Sequence, residues 1–458
     1  MRENTFVLED TISALLENKK YATLRDILIT MNPADVAILF EELPEEKLPL
    51  LFRLLPKEQA AETFVEMESD VQEMLIRGFS DAELKEVVDE LYVDDAADLV
   101  EEMPANVVKR ILRQADPEMR KMINEVLKYP EDSAGSIMTT EFVSLRPGMT
   151  AEEAIKRIRR TGVDKETIYT CYVTSTSNVL VGFISLKHLI LAEDDDLVED
   201  IMDTNLISVK TTDDQEDVAQ MFTRYNFVAL PVVDGDNRLV GIITVDDAMD
   251  VIEEETTEDI EIMAGITPSD KPYLKMSVFS IWKSRIPWLL LLMVSATFTG
   301  MIITSFENAL AAQVALTAFI PMLMDTGGNS GSQASVTIIR SLSLGDIEFG
   351  DIFRVIWKEI RVSFFCGIVL AAANFIKIVL VDMLLMHSSG VTYTVALVVC
   401  LTLGVTVICA KVVGCTLPML AQKLGFDPAV MASPFITTIV DALSLLIYFR
   451  WASLLLNL

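Results

Sequence analysis

The sequence predicts a multidomain membrane protein in which an acidic, water-soluble amino-terminal half precedes a half made of apolar helices. The 458 residues have a formal net charge of −31, although 51% are hydrophobic and the mean hydropathy is +0.39. From Lys271 onward there are 12 basic and 9 acidic residues, which leaves 25 basic and 59 acidic residues before that point. This division excludes one compact globule, a disordered acidic tail and a nucleic-acid-binding protein, because the last requires a basic face.

Residues 1–130 are predicted to form an all-α, solenoid-like domain. Short amphipathic segments are separated by Leu-Pro and Met-Pro pairs, and residues 35–44 (DVAILFEELP) are echoed at 95–104 (DAADLVEEMP). A repeated helical unit of this kind is typical of stacked helical hairpins. Because the amino terminus leads into a polar segment without an apolar signal region, we expect this domain to stay in the cytosol.

Residues 131–250 contain a clearer repeat. Residues 137–146 match 201–210, and 180–185 (LVGFIS) match 239–244 (LVGIIT), so each unit is predicted as strand, helix, strand, strand and helix. The repeat resembles a tandem pair of CBS domains, which is an α/β fold, and residues 227–236 (FVALPVVDGD) are typical of the second copy. The resemblance implies a ligand sensor, often for adenosine nucleotides such as ATP, and an empty structural pair is the alternative.

Residues 251–283 are predicted as an acidic connecting helix. Acidic residues recur at i+3 and i+4 spacing just before and within this segment: Asp246, Asp247, Asp250, Glu254 and Glu258. Like charges so close together destabilise a helix unless cations neutralise them. A solvated helix face is the simpler interpretation, but the stripe leads directly into the first apolar stretch. We therefore expect a connecting helix that responds to ions.

Residues 284–458 are predicted as an α-helical transmembrane domain with five spans. The apolar stretches cover residues 287–306, 309–339, 362–385, 391–422 and 428–449, each long enough to cross a hydrocarbon core of about 30 Å. Lys and Arg residues are concentrated before the first span and in the second-to-third and fourth-to-fifth connections. The positive-inside rule then predicts a multi-pass protein of the cell membrane with its carboxy terminus outside.

Asp441 is the candidate ion ligand of the membrane half, since it lies near the middle of the fifth predicted span. An ionised carboxylate at the bilayer centre costs at least about 2.5 kcal/mol, so it needs water, a partner or a cation. Thr437, Thr438 and Ser444 share its side of the helix. Such a row of oxygen donors suits a hydrated hard cation such as Mg²⁺. An ion pair with Lys411 or Lys377 is the alternative.

Residues 321–333 (PMLMDTGGNSGSQ) form the second unusual membrane segment. Gly327, Gly328 and Gly331 predict a weakened or broken helix, which is tolerated in a membrane only against protein or a water-filled cavity. Asn329 and Gln333 are four residues apart and place two amide oxygens on one face. Asp325 begins the same segment.

The order of these parts, together with residues 325–333 and the segment from Asp427 to Asp441, resembles the MgtE family of magnesium channels over essentially the whole chain. The resemblance implies a homodimer with a pore between the two membrane domains. It places the pore aspartate at Asp441 and the aspartate of the cytosolic entrance at Asp427, with Asn329 in the conserved motif of the family. It also implies regulatory Mg²⁺ sites at Asp94, Asp98, Glu216, Asp246, Asp247, Asp250, Glu254, Glu255, Glu258 and Asp259, although Asp94-Asp95 offers two registers.

The predicted function is passive Mg²⁺ influx that stops when cytosolic Mg²⁺ binds the acidic half, and the chain is not expected to be an enzyme. No Walker motif suggests active pumping. The nearest alternative is transport of another divalent cation, such as Co²⁺ or Mn²⁺, although no His/Cys cluster suggests a softer metal. A remote alternative is an intramembrane aspartyl protease, because Asp325-Thr-Gly resembles the signature of those enzymes and Asp441 could share its proton. A non-transporting sensor would have no need of Asp441.

Overall fold

The computed structural model describes residues 11–269, 273–387 and 390–456. The chain forms two compact units, Met1–Ile252 and Glu253–Leu458, which are described separately below. The first unit holds a helical domain and a pair of small sheets, and the second holds long apolar helices. The predicted fold class, an all-α domain followed by α/β repeats and an apolar helical domain, is confirmed.

Short helices make up the amino-terminal domain, and prolines begin many of them. Pro33 and Pro117 occupy the first turn of their helices, where their missing N–H costs no hydrogen bond. The helices pack around one core that includes the ring cluster of Phe52, Phe64 and Phe79. The helices are α1 (Tyr21–Leu28), α2 (Pro33–Glu41), α3 (Leu48–Phe52), α4 (Lys57–Val65), α5 (Ser69–Gly78), α6 (Asp81–Val88), α7 (Val93–Glu102), α8 (Ala105–Gln114) and α9 (Pro117–Val126).

Two three-stranded sheets follow, one for each repeat. In each sheet the first strand is parallel to the second, and the second is antiparallel to the third. The strands are β1 (Ser144–Leu145), β2 (Thr170–Thr174) and β3 (Leu180–Ser185), then β4 (Val209–Lys210), β5 (Ala229–Val233) and β6 (Leu239–Thr244). The accompanying helices are α10 (Ala151–Thr161), α11 (Leu186–Leu191), α12 (Val198–Ile201) and α13 (Gln215–Tyr225).

The repeated Ile-Met and Val-Gly pairs hold the two repeats together. Met138, at the start of the first repeat, packs on Gly241 of the second, where an added Cβ would lie 2.6 Å from its sulfur. Met202, at the start of the second repeat, packs in the same way on Gly182 of the first. Thr139 also exchanges backbone hydrogen bonds with Ile242. The opening segment of each repeat therefore packs on the sheet of the other repeat.

The acidic connecting helix, α14, runs over Val245–Met263, whereas the sequence analysis placed it at 251–283. It begins earlier because it follows β6 directly. It ends earlier because Gly265 adopts a left-handed conformation (φ 71°), and Ile266 donates its N–H back to the Glu261 carbonyl. This hydrogen-bond pattern closes a helix at its carboxyl end, and Pro268 follows it.

Long helices form the second unit: α15 (Val278–Ser305), α16 (Glu307–Ala312), α17 (Ile320–Ser343), α18 (Ile352–Lys377), α19 (Tyr393–Lys423) and α20 (Ser433–Leu456). Three short 3₁₀ segments connect them, Val314–Phe319, Phe349–Asp351 and Pro428–Met431, and α18 continues as a π-helix over Ile378–Leu385. Four segments of the described chain are long and apolar enough to cross a membrane: Val278–Ser305, Phe349–Leu385, Tyr393–Lys423 and Pro428–Leu456. The second predicted span differs from the other four, because it divides into α16, a 3₁₀ segment and the more polar α17.

The expected break at the glycines of α17 is absent from the structure, in which residues 320–343 form one continuous helix. The glycines serve close packing instead. A Cβ on Gly327 would lie 2.8 Å from Thr406 Cγ2 and 2.9 Å from Ser444 Oγ, and one on Gly331 would lie 2.8 Å from Ile436 Cγ2. The missing side chains allow α19 and α20 to approach the α17 backbone directly, which compensates for the low helix propensity of glycine.

The tightest of these approaches predicts a stability effect. Gly414 of α19 faces the Gly331 carbonyl so closely that an added Cβ would overlap it. We expect Gly414→Ala to lower the thermal unfolding temperature of the purified protein, because overpacking costs about 1–3 kcal/mol. Gly300→Ala is the matched control, since nothing lies within 4 Å of its Cβ position and alanine favours a helix. Equal melting temperatures for the two variants would contradict the packing argument.

Candidate ion sites

A cluster of carboxylates lies where α7 of the helical domain meets the CBS-like repeats within the first unit. Asp94 and Asp95 occupy the first turn of α7, and Asp246 and Asp247 occupy the first turn of α14. Carboxylates are favoured at helix amino ends because the free N–H groups there carry partial positive charge. Asp247 also accepts hydrogen bonds from the Thr244 N–H (3.2 Å) and hydroxyl (2.5 Å). The amino-terminal turns of two helices thus position these four carboxylates. Together with Asp98, Glu141 and Glu166, they form a group that we call the acidic cluster.

Electrostatic repulsion within the acidic cluster is strong. Burial, followed by the charges of Asp247 and Asp95, raises the pKa of Asp94 well above its ordinary value. Burial and Asp247 likewise raise the pKa of Asp95 to about 7. Burial raises the pKa of Asp247 to about 6, against the hydrogen bonds from Thr244. Every charged neighbour that shifts these three pKa values is acidic, so the described residues supply no compensating cation.

Glu166 and Glu141 are members of the cluster that the sequence analysis missed. Both lie outside the helices, and the Glu166 N–H donates to the Glu141 carbonyl at 3.0 Å. Glu166 Oε2 is buried without a hydrogen-bond partner, and burial together with Asp247 and Asp95 raises the Glu166 pKa to about 8. Asp95, the other register of the Asp94-Asp95 pair, is also a member. No linear spacing signals the two glutamates, because only the fold brings their loops to α7.

The cluster fits a hydrated cation better than a fully dehydrated one. Among the residues described, no three His, Cys, Asp or Glu side chains come close enough together to hold a metal ion. Mg²⁺ usually keeps several water molecules and takes only one or two carboxylates. Asp94 is 6% exposed, whereas Asp98 lies exposed at the edge. A hydrated divalent ion that reached the cluster from that edge would neutralise carboxylates that otherwise repel one another.

The other predicted regulatory residues are more dispersed. Asp250, Glu254, Glu255, Glu258 and Asp259 follow one another along α14. Glu216 lies in the first turn of α13 and accepts a hydrogen bond from Gln220 (3.4 Å), away from the interactions that define the acidic cluster. The structure thus brings together Asp94, Asp98, Asp246 and Asp247, and Asp250 adds its charge to theirs by raising the pKa of Asp247.

A second carboxylate pair lies in the membrane unit. Asp259 accepts a hydrogen bond from the Ser343 hydroxyl at 3.2 Å, and it lies close enough to Asp427 for repulsion. Asp427 caps the 3₁₀ segment that precedes α20 by accepting the Ala429 N–H at 2.7 Å. Burial and then Asp427 raise the Asp259 pKa, while Ser343 and Arg340 oppose the rise; burial also raises the Asp427 pKa. The hydrogen bond from Ser343 therefore holds Asp259, near the end of α14, close to the predicted entrance aspartate in spite of the repulsion between the two carboxylates.

Polar side chains also follow one exposed face of α17. Asp325, Asn329, Gln333 and Thr337 are spaced four residues apart and are exposed, and Asn329 Nδ2 donates to Asp325 Oδ1 at 3.1 Å. Their regular spacing makes this a continuous polar stripe, which we call the α17 stripe. An exposed stripe on a helix of a membrane unit requires water, an ion or a second protein surface.

Asp441 lies inside α20 and is half-buried. Its Oδ1 atom is buried and has no hydrogen-bond partner in the structure, and Asp325 is close enough to interact with it electrostatically. The alternative partner, Lys411, is engaged elsewhere: its Nζ lies 3.9 Å from Glu359 Oε2. Lys377 is paired with Asp382 at 2.9 Å. Neither of the two lysines proposed as structural partners compensates Asp441.

Comparison with protein families matches four parts of the chain. The "MgtE intracellular N domain" matches residues 31–132, CBS domains match 134–195 and 198–254, and the MgtE "Divalent cation transporter" family matches 320–451. The chain is 36% identical over 451 residues to the magnesium transporter MgtE of Thermus thermophilus, covering 98% of both chains. It is 33% identical to the magnesium transporter MgtE of Bacillus subtilis, covering 96% of both.

Two solved structures resemble the amino-terminal half. One is the cytosolic domain of the Mg²⁺ channel MgtE in complex with ATP, with 37% identity and a TM-score of 0.51 over 53% of this chain and 99% of that chain. The other is the soluble part of a magnesium transporter, with 34% identity and the same TM-score over 56% of this chain and 99% of that chain. Each of these two solved structures therefore matches a little over half of this chain across almost its whole length.

The raised pKa values predict how the docking of α7 responds to pH. A carboxyl group whose pKa is higher in the folded state stabilises folding while protonated, and it loses that contribution as the pH rises through the folded pKa. With pKa values of about 6, 7 and 8 at Asp247, Asp95 and Glu166, we expect the protection factors of the α7 amides to fall from pH 5 to pH 8.5 in the absence of divalent ions, after correction for the base-catalysed intrinsic exchange rate.

The double variant Asp95→Asn and Glu166→Gln removes two of the like charges, so its α7 protection should change much less over the same pH range. The matched control is Glu45→Gln with Glu46→Gln, which removes the same charge from exposed positions of the helical domain. A pH response that is equal in the two double variants would show that the cluster does not control docking.

Proposed function

Because the chain belongs to the MgtE family, we propose that it carries Mg²⁺ across the cell membrane, down the membrane potential. The observation that carries the proposal is the Asp441 carboxylate, which lies within an apolar helix and has a buried oxygen without a hydrogen-bond partner among the described residues. A divalent cation in transit would supply the missing charge. The inward movement of two charges gains about 4.6 kcal/mol per 100 mV, so no other energy source is required.

The permeation path is proposed to lie between two copies of the chain. The α17 stripe is exposed on a single chain, and a second copy related by two-fold symmetry would present the same stripe to it. Asp441 and Asp325 would then line one aqueous path, with Asn329 and Gln333 offering amide oxygens to the hydration shell of the ion. Five spans, with the amino-terminal domains in the cytosol and the carboxy terminus outside, are consistent with the basic residues between the helices.

Gating is proposed to follow from the acidic cluster. Without Mg²⁺, the docking of α7 onto the repeats buries carboxylates that repel one another, so the undocked arrangement is favoured. Mg²⁺ bound at the cluster removes that cost, and ligand binding shifts the population toward the docked state. The end of α14 at Asp259 and Asp427 would close the entrance in that state. In the same proposal, ATP binds the CBS pair, as the ATP complex of a similar cytosolic domain suggests.

The protease alternative has less support. Its candidate signature, Asp325-Thr-Gly, lies inside the continuous α17 helix rather than in a glycine-rich active-site loop. Asp325 also accepts a hydrogen bond from Asn329. The alternative of Co²⁺ or Mn²⁺ transport is distinguished by comparing the uptake rates of these ions with that of Mg²⁺.

Asp441→Asn tests the permeation site. We expect Mg²⁺ uptake into proteoliposomes to fall about tenfold or more, because the amide keeps the shape of the side chain but not the charge-assisted interaction. Uptake should be measured with and without an imposed inside-negative potential, and with Mn²⁺, Co²⁺ and Ca²⁺ in parallel. Asp346→Asn, at an exposed loop position, is the matched control. An uptake rate of the wild type that is the same with and without the imposed potential would contradict passive transport.

The triple variant Asp247→Asn, Asp250→Asn and Glu258→Gln tests the gate. We expect uptake to lose most of its dependence on cytosolic Mg²⁺, because the neutral side chains neither bind the ion nor repel one another in its absence. Patch-clamp recording of inside-out membranes measures this directly. Mg²⁺ inhibition that is unchanged in the triple variant would overturn the gating proposal while leaving the transport proposal intact.

A further inference from the structure

The first turns of α18 present two different faces. Val355 is buried against Cys415 and Met419 of α19, and the partly buried Ile352 and Ile356 pack on the same side. The opposite side carries exposed aromatic residues and exposed bases: Phe353, Arg354, Trp357, Lys358 and Arg361. We call this outward side the α18 basic face.

The α18 basic face carries a concentrated positive charge. Its bases are spaced i, i+4 and i+7, so they span about 10 Å along one side of the helix. The one acidic residue within α18, Glu359, points to the other side, toward Lys411 at 3.9 Å. Asp351, just before the helix, pairs with Arg354 at 2.9 Å. Within the described chain, no carboxylate forms an ion pair with Lys358 or Arg361.

The position of the α18 basic face along the helix indicates that it lies at the membrane surface. The uncharged stretch of α18 starts at Val362, one residue after the last base, and its exposed Phe364 and Phe365 face outward. The bases therefore fall at the depth of the lipid headgroups when the stretch that begins at Val362 enters the hydrocarbon core. Trp357 is 61% exposed, and the Arg361 guanidinium lies 6.0 Å from its ring centroid. Tryptophan at this depth is typical of the membrane–water interface.

We propose that the α18 basic face binds the headgroup of an anionic phospholipid, with Lys358 and Arg361 contacting its phosphate and Trp357 the boundary between headgroup and acyl chain. Charge complementarity favours an anionic lipid over a zwitterionic one, and the exposed rings beside the bases favour a lipid over a soluble phosphate compound. The proposal depends on α18 spanning a bilayer and does not depend on which ion the protein carries.

Native mass spectrometry of the full-length chain, purified and delipidated in an uncharged detergent, tests the proposal. Phosphatidylglycerol and phosphatidylcholine are added separately, and the affinity of the first bound lipid is measured. Each base near a lipid surface contributes about 1 kcal/mol, so K358Q with R361Q should weaken phosphatidylglycerol binding about thirtyfold. Phosphatidylcholine binding should be weaker from the start and change little.

R159Q with R160Q is the matched control, because these exposed bases of α10 give the same charge change in the first unit. K358R with R361K keeps the charge and should keep phosphatidylglycerol binding, which separates loss of the headgroup contact from misfolding. Equal weakening by the control pair would overturn the proposal. So would equal binding of the two lipids, or displacement of phosphatidylglycerol by millimolar inorganic phosphate.

Discussion

The repulsion between enclosed carboxylates is the constraint on which the rest of this structure depends. A buried charge is costly unless it is paired, and the described residues offer no base to the acidic cluster or to Asp441. The protein instead uses weak, oriented dipoles: two helix amino ends and the Thr244 hydroxyl position the carboxylates without neutralising them. A permanent salt bridge at the same place would remove any need for a mobile cation.

Close helix packing through glycine is the main feature of the membrane unit. Its glycines bring α17 against α19 and α20 so closely that side chains have little room to rearrange. This packing turns Val440 and Ser444 inward and leaves the polar residues of α17 on the outside. One set of small residues therefore determines both how closely the helices pack and which face of α17 stays exposed.

Much of the fold could be predicted from the sequence. The separation of charged from apolar residues, the Leu-Pro pairs between helices and the repeat within residues 131–250 can all be seen in the sequence itself. The interpretation of the Gly-Gly-Asn segment as a helix break was wrong, since helix propensity ignores what packs against the glycines. The limits of the connecting helix were wrong because Gly265 and Ile266 end it by a hydrogen-bond pattern that periodicity does not reveal. The candidate site could be predicted in part: the acidic spacing and the family resemblance pointed to Asp94, Asp98, Asp246 and Asp247. Glu141 and Glu166 were missed, because they belong to loops that only the tertiary structure brings to α7.

The crossed packing of methionine on glycine between the two CBS repeats has a consequence for how the sensor folds. Because the opening segment of each repeat packs on the sheet of the other, deleting either repeat would uncover the glycine surface of the one that remains. During synthesis the first sheet gains its bridge to Asp203 only once the second repeat has begun to emerge. A substitution at Met138, Gly182, Met202 or Gly241 in one repeat would therefore disturb the packing of both sheets.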